Sequence, residues 1–152
     1  MKVKLKLMNG DAKVPFKTHS RDFCYDVVAT SKEEVSPGVF KYGVGLGFQM
    51  EFPKGFHEDD MEDIIFSLDF RPRSSIYKTG LVLANSTATI DEPFTGQVFL
   101  IFYHVMPNLP EYEVGDRIAQ VKVGMTMPVE WVVVDKLDET ERGDGGFGST
   151  GR

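Results

Sequence analysis

Apolar and polar residues alternate with a period of two along much of the chain, which is the pattern of strands with one buried face. Val3, Leu5 and Leu7 alternate with Lys2, Lys4 and Lys6. Val44, Leu46, Phe48, Met50 and Phe52 alternate with glycines and polar residues. The run QVFLIFYHV at 97–105 is continuous and predicts a strand buried on both faces. IAQVKV at 118–123 and WVVVD at 131–135 read the same way. Turn signals lie between these runs: Pro37-Gly38, Pro53-Lys54-Gly55, Thr79-Gly80, Thr95-Gly96, Val114-Gly115-Asp116 and Val123-Gly124. No long helical period and no internal repeat interrupts them. Short strands at such spacing predict an all-β barrel or jelly roll.

Composition narrows the setting. A chain of 152 residues can hold one domain with one core. No apolar run approaches the ~20 residues of a membrane span. The N-terminus MKVKLKLMNG lacks the apolar centre and cleavage site of a signal peptide. Cys24 is the single cysteine, so no internal disulfide forms, and a reducing, cytoplasmic setting is expected. The net charge of −6 gives no general pull toward nucleic acid or anionic membrane. A phosphate ligand would have to be held by local groups, helped by a divalent cation.

Two stretches depart from the strand rhythm. HEDDMED at 57–63 gathers carboxylates around His57. It reads first as a solvated turn or short helix face, and second as a metal site or a contact for a protein partner. A zinc site would need a second histidine at helical spacing. The other stretch is the arm at 138–152, DETERGDGGFGSTGR, which is glycine-rich and nearly without apolar anchors. Alone it is expected to be flexible. Gly143 to Thr150 reads G-x-x-x-x-G-S-T, one residue from a phosphate-binding loop, with Ser149 in the lysine position. Such a loop normally leads into a helix, and only Gly151 and Arg152 follow here. The expected organisation is therefore a core at 1–137, with an acidic insertion near 57–63, and a C-terminal arm at 138–152.

Several segments carry candidate chemistry. In RPRSSIYKTG (71–80), Arg73 offers a planar fork of donors, and Ser74 and Ser75 add hydroxyls, a set suited to phosphate. In GLVLANSTATIDEPFTGQV (80–98), Asp91 stands beside a tight turn, with Asn85 before it and Phe94 after it. This segment is expected to form a hairpin whose backbone reads a flat heterocycle and whose aromatic packs on a sugar. YEVGDRIAQV (112–121) gives a Gly-Asp turn and a strand bearing Gln120, and SRDFCYDVVA (20–29) places Asp26 among aromatics.

In chain order, FCYDV, RPRSS, NSTATIDEPFTG, GDRIAQV and RGDGGFGSTG resemble the motifs of the trimeric dUTPase family. The resemblance runs from about residue 20 to the C-terminus, and the last motif is nearly complete. It implies a distorted β jelly roll assembled as a homotrimer, since the monomeric relatives need a much longer chain. Active sites would lie between subunits, with the C-terminal arm of one closing over a site built by the others. The implied reaction is Mg²⁺-assisted hydrolysis of dUTP to dUMP and pyrophosphate, with water attacking the α-phosphorus. Asp91 resembles the aspartate that deprotonates that water. Arg73, Ser74 and Gln120 match positions holding the α- and β-phosphates, with Ser75 beside them. Arg142, Ser149 and Thr150 match those gripping the γ end, where Gly146 and Gly148 add backbone donors. Phe147 matches the aromatic that stacks on uracil, and Asn85 the uracil reader. Asp26 resembles the acidic residue that meets the metal through water, the ion being held mainly by the phosphates.

The chain departs from the family pattern at named positions. Phe94 replaces the usual tyrosine, Ala88 a common glycine, and Phe23-Cys24 a small pair. Two alternatives stand beside the hydrolase. A dCTP deaminase of the same fold needs a glutamate after the motif with Asp91, where this chain has Ile101. A dUTPase-like regulator would sense nucleotide and bind a protein partner through the acidic insertion.

Overall fold

The computed structural model describes residues 2–51, 64–143 and 145. The acidic stretch 57–63, and Gly146, Phe147, Gly148, Ser149 and Thr150 of the arm, lie outside the described residues. So does the partner surface expected of that stretch.

The alternating patterns become strands. They are β1 (Lys2–Leu7), β2 (Tyr25–Val28), β3 (Ser31–Ser36), β4 (Val39–Gly43), β5 (Leu46–Glu51) and β6 (Ile65–Arg71), then β7 (Leu81–Leu83), β8 (Ala88–Asp91), β9 (Phe99–His104) and β10 (Arg117–Thr126). A single 3₁₀ turn, Ser74–Lys78, is the only helical element among the described residues. The strands form a pair, β1-β5, and two four-stranded sheets ordered β2-β10-β6-β8 and β3-β4-β9-β7. Every pairing is antiparallel. The fold is all-β and jelly-roll-like, as the periodicity predicts. No helix among the described residues is long and apolar enough to cross a membrane.

Glycine sets two of the turns. Gly38 joins β3 to β4 at φ 71°, and Gly115 turns the chain before β10 at φ 96°. Both lie in the left-handed region that other residues avoid.

The two large sheets bury their facing sides together. Phe102 and Tyr42 are fully buried and meet edge to face, with ring centroids 5.5 Å apart. Tyr112 closes an aromatic trio, 5.9 Å from Phe102 and 6.3 Å from Tyr42. The Tyr42 hydroxyl donates to the Tyr112 carbonyl oxygen at 2.9 Å. Burial pushes the Tyr42 phenol up to about 12. Phe70, Leu83, Leu100 and Ile118 fill the rest of this layer.

Three expectations need correction. The run at 97–105 is not buried on both faces: Leu100 and Phe102 point inward, while Phe99 and Tyr103 are exposed. A central strand in a two-layer fold has only one facing sheet to cover it. WVVVD at 131–135 is not a strand, and Trp131, Val132, Val133 and Val134 are all exposed. β-propensity does not make a strand without an edge to pair with. Finally, 80–98 does not close on itself as a hairpin. β7 pairs with β9 and β8 with β6, so the segment crosses from one sheet to the other. That crossing lets Leu81 and Leu83 face the core from one side and Ala88 from the other.

The outer faces differ in character. On β2-β10-β6-β8 the outward positions are polar apart from Ile65 at the start of β6. Asp69 accepts from the Ser67 hydroxyl at 3.0 Å and the Thr89 hydroxyl at 3.3 Å, and pairs with Lys122 at 3.0 Å. Glycine at 124 makes room, because a Cβ there would lie 2.5 Å from Ser67 Oγ and 2.8 Å from Asp69 Oδ2. Partial burial disfavours the Asp69 charge, but Lys122 and the two hydroxyls outweigh it and hold the carboxyl below its usual 3.8. A depressed carboxyl stabilises the fold above its unfolded value, and that contribution is lost as pH falls through the folded value. Asp69→Asn is therefore expected to cost about 1–3 kcal/mol at neutral pH. Denaturant melts should show the gap to wild type closing once the pH drops below 3.8. A gap that stays constant down to acid pH would mean that the Asp69 charge contributes nothing.

Candidate active site

A pocket of about 400 Å³ opens where β2, β10 and the start of the 3₁₀ turn meet. Its lining includes Asp26, Arg73, Ser74, Gln120, Lys17 and Cys24. The register explains the gathering. Gln120 of β10 stands opposite Asp26 of β2 on one side and Arg71 of β6 on the other. Opposed residues share a face, so these three form one row on the outer surface.

Local turns complete the floor. Phe16 and Asp26 exchange backbone hydrogen bonds of 3.2 and 2.7 Å, which folds the intervening loop back over β2. Within that loop the His19 N–H donates to Asp22 Oδ2 at 2.9 Å. After β6, Pro72 breaks the strand, and Arg73 caps the 3₁₀ turn in extended geometry. The Gln120 amide donates to the Pro72 carbonyl oxygen at 3.1 Å and ties β10 to this turn.

The charges interlock. Arg73 Nε donates to Asp26 Oδ1 at 2.9 Å, and its NH1 donates to Ser75 Oγ at 3.2 Å. Arg117 NH1 donates to the other Asp26 oxygen at 3.0 Å. The Asp26 side chain is 14 % exposed, so this carboxylate sits partly buried between two guanidiniums. An Arg side chain has five N–H donors, so Arg73 keeps three for a ligand. The cluster carries one net positive charge and spare donors, a site for an oxyanion. Close behind, burial pushes the Tyr112 phenol up, and the Arg73 charge opposes that rise.

The sequence-predicted residues divide into groups. Asp26, Arg73, Ser74 and Gln120 come together at the pocket, with Ser75 holding Arg73 from behind. Asn85, Asp91 and Phe94 do not line it. Asn85 is exposed on the tight loop between β7 and β8, where Ser86 adopts φ 57°. Left-handed backbone at a non-glycine residue is a strained geometry that occurs at functional sites. Asp91 ends β8, exposed, and its carbonyl oxygen accepts from the Phe94 N–H at 3.0 Å. The Phe94 ring lies over Gly96, where a Cβ would fall 2.8 Å from Cζ. Asp91 stands opposite Ser67, four residues along β6 from the row of Gln120 and Arg71. That is roughly 13 Å along the strand, and the strands lie ~4.8 Å apart across the sheet. Arg142 is exposed on the arm, its Nε donating to the Gly145 carbonyl oxygen at 2.9 Å, and it does not line the pocket.

Sequence reasoning missed Arg117, Lys17 and Thr18. Arg117 stood within the motif GDRIAQV, but strict alternation places it on the opposite face from Gln120. Nothing in the sequence marked Lys17 or Thr18.

The family model for dUTPase matches residues 11–151. The chain belongs to the dUTPase family. The deoxyuridine 5'-triphosphate nucleotidohydrolase of Nautilia profundicola is 30% identical over 154 residues, covering 100% of both chains. That of Clostridium tetani is 32% identical over 152 residues, covering 99% of this chain and 97% of its own. Among solved structures, a mutant dUTPase of Staphylococcus bacteriophage 80alpha with dUpNHpp superposes with a TM-score of 0.71 at 20% identity. It covers 99% of both chains. The mutant dUTPase of phage phi11 of S. aureus, described with a structural Mg(II) ion, superposes at 0.68 with 17% identity. It covers 91% of this chain and 100% of its own. Both structures share the jelly-roll-like fold.

Cys24 offers a direct probe of the dUTPase pocket, because it is the single cysteine and lies in the lining. Iodoacetamide should modify it. A nucleoside triphosphate at ten times its dissociation constant should slow that modification about tenfold. Equal labelling rates with and without ligand would remove this pocket from phosphate binding.

Proposed function

We propose that this dUTPase hydrolyses dUTP to dUMP and pyrophosphate at a site completed by more than one subunit of a homotrimer. The observation that carries this reading is the separation of Asp91 from the Asp26–Arg73–Gln120 pocket on one chain. A general base must come within about 3 Å of the proton it takes, or act through one water. One chain cannot bring its own Asp91 to a phosphate held by its own Arg73. A neighbouring chain can.

In this reading Arg73, Ser74 and Gln120 hold the α- and β-phosphates. Asn85 and the backbone beside it read the uracil edge, and the Phe94 ring lies under the deoxyribose. Asp91 of a second subunit accepts a proton from a water. The water oxygen bonds to the α-phosphorus, and the bond from that phosphorus to the bridging oxygen breaks. The electron pair leaves with pyrophosphate. Arg142, Ser149, Thr150 and the backbone of Gly146 and Gly148 close on the γ end, while Phe147 stacks on the base.

Among the described residues no group of three or more His, Cys, Asp or Glu side chains could hold a metal ion. Asp26 uses one lone pair of each oxygen on a guanidinium and keeps others that can accept a water. These residues fit Mg²⁺ as an outer-sphere contact of Asp26, with the phosphates as the main ligands. Once bound, the ion would neutralise the charge that develops on the phosphates.

Assembly has support in the outer face of β3-β4-β9-β7. Val39 and Val82 both stand opposite Tyr103, and Tyr103 and Val82 are 47 and 48 % exposed. Phe99 continues this apolar surface along β9. Contiguous exposed apolar rows mark contact sites. Deamination lacks its proton carrier, because Ile101 in β9 has no titratable group.

With Mg²⁺, the purified protein should release pyrophosphate from dUTP, leave UTP intact and release no ammonia from dCTP. Ammonia from dCTP, or inert dUTP, would sink the reading. Asp91→Asn should cut turnover about a hundredfold or more while nucleotide still binds. Mixing Asp91→Asn with Arg73→Ala chains under exchange conditions should restore activity in up to about a quarter of sites. A mixture as inactive as its components would refute the shared site. Removal of residues 143–152 should abolish turnover and leave the trimer intact by light scattering.

A further inference from the structure

Arg117 does not line the pocket, yet it makes one of the two ion pairs that fix Asp26. Its place there depends on a break in the strand. Residues 119, 120 and 121 of β10 pair in regular register with 27, 26 and 25 of β2, and the register shifts between Arg117 and Ala119. Ile118 and Ala119 are consecutive and both fully buried, which strict alternation does not allow. This β-bulge carries Arg117, three residues before Gln120, onto the face that Gln120 and Asp26 share. Bulges re-aim side chains in this way and are frequent beside active sites.

The consequence for Arg73 is geometric. Asp26 Oδ2 is held by Arg117 NH1 at 3.0 Å, so the carboxylate plane is pinned at both ends. A pinned carboxylate fixes the Arg73 fork through Nε, and Ser75 fixes it through NH1. A longer contact of 3.5 Å to Thr18 Oγ1 ties Arg117 to the loop that walls the pocket. The Arg117 side chain is 43 % exposed, so the core does not depend on it.

We propose that Arg117 is a positioning residue for triphosphate binding, acting on Arg73 through Asp26 without touching the nucleotide. The inference rests on the function proposed above, in which Arg73 holds the α- and β-phosphates. If Arg117 acts only through Arg73, its removal matters only while Arg73 is present.

The test is a double-mutant cycle on the full-length protein with Mg²⁺, reading calorimetric affinity for the non-hydrolysable α,β-imido-dUTP. Arg117→Ala should weaken binding about tenfold, as expected for a lost charge-assisted hydrogen bond. In an Arg73→Ala background the same change should cost less than about twofold. Because only NH1 is used, Arg117→Lys should stay close to wild type, while Arg117→Gln should match the alanine variant. Wild-type affinity in Arg117→Ala, or losses that multiply in the double variant, would overturn the proposal. If Arg117→Ala fails to fold, the Lys and Gln variants decide the matter, and equal affinities in the two would overturn it. Wild-type turnover of dUTP is measured in parallel. If the wild type neither binds nor hydrolyses dUTP, the proposed function falls and this inference with it. If the wild type does both and the losses multiply, only the inference falls.

Discussion

One row of the sheet organises the site: Asp26, Gln120 and Arg71 abreast on β2, β10 and β6. Strand register is a discrete quantity, and a slip of one residue would turn every side chain to the opposite face. The row is held from below by burial. Val27, Ala119, Val121 and Phe70, the neighbours of these polar residues, are all in the core. The packing that stabilises the fold therefore also sets the position of the donors proposed to hold phosphate. Pro72 then ends β6 and releases Arg73 into the 3₁₀ turn, where its guanidinium reaches back to Asp26.

The two outer faces divide the remaining tasks. The face of β2-β10-β6-β8 is mainly polar and carries both the pocket and Asp91, at opposite ends of β6. The face of β3-β4-β9-β7 is apolar along Val39, Tyr103 and Val82. In the reading proposed above, a single chain with this distribution holds part of a site and an uncovered surface, and further copies of the chain would complete the one and cover the other. The exposed apolar residues of 131–134 fit the same proposal, because a strand-like segment without a partner in its own chain is available to another.

The sequence made the periodic elements legible because period-two alternation is a local property. Lys2–Leu7 became β1 as read, and β5 takes Leu46–Glu51 from the run that the alternation marks from Val44 onward. The pocket residues Asp26, Arg73, Ser74 and Gln120 were legible as members of motifs, although no local signal said that they meet. What failed was whatever depends on partners distant in sequence. WVVVD has strand composition but no edge to pair with. Segment 80–98 has hairpin punctuation, yet β7 and β8 find longer partners in β9 and β6. Arg117 was hidden by a bulge, since counting residues along β10 gives the wrong face wherever one residue is extra.

The electrostatics of the pocket answer a difficulty posed by the whole chain. A protein of net charge −6 repels a triphosphate at long range, and screening limits that repulsion to about 10 Å from exposed charges. Binding is therefore decided by what lies within the pocket. There a carboxylate, which alone would oppose phosphate, is enclosed by two guanidiniums and acts as a scaffold for them. The arrangement uses a negative charge to fix the geometry of a positive one, and leaves a positive remainder where the phosphates would sit. A lone arginine on a loop would carry the same charge and lose its direction, because a long side chain without an anchor spends its time among many rotamers. Direction is what a substrate phosphate requires, since three aligned N–H donors bind one geometry of oxygens and a mobile cation binds any.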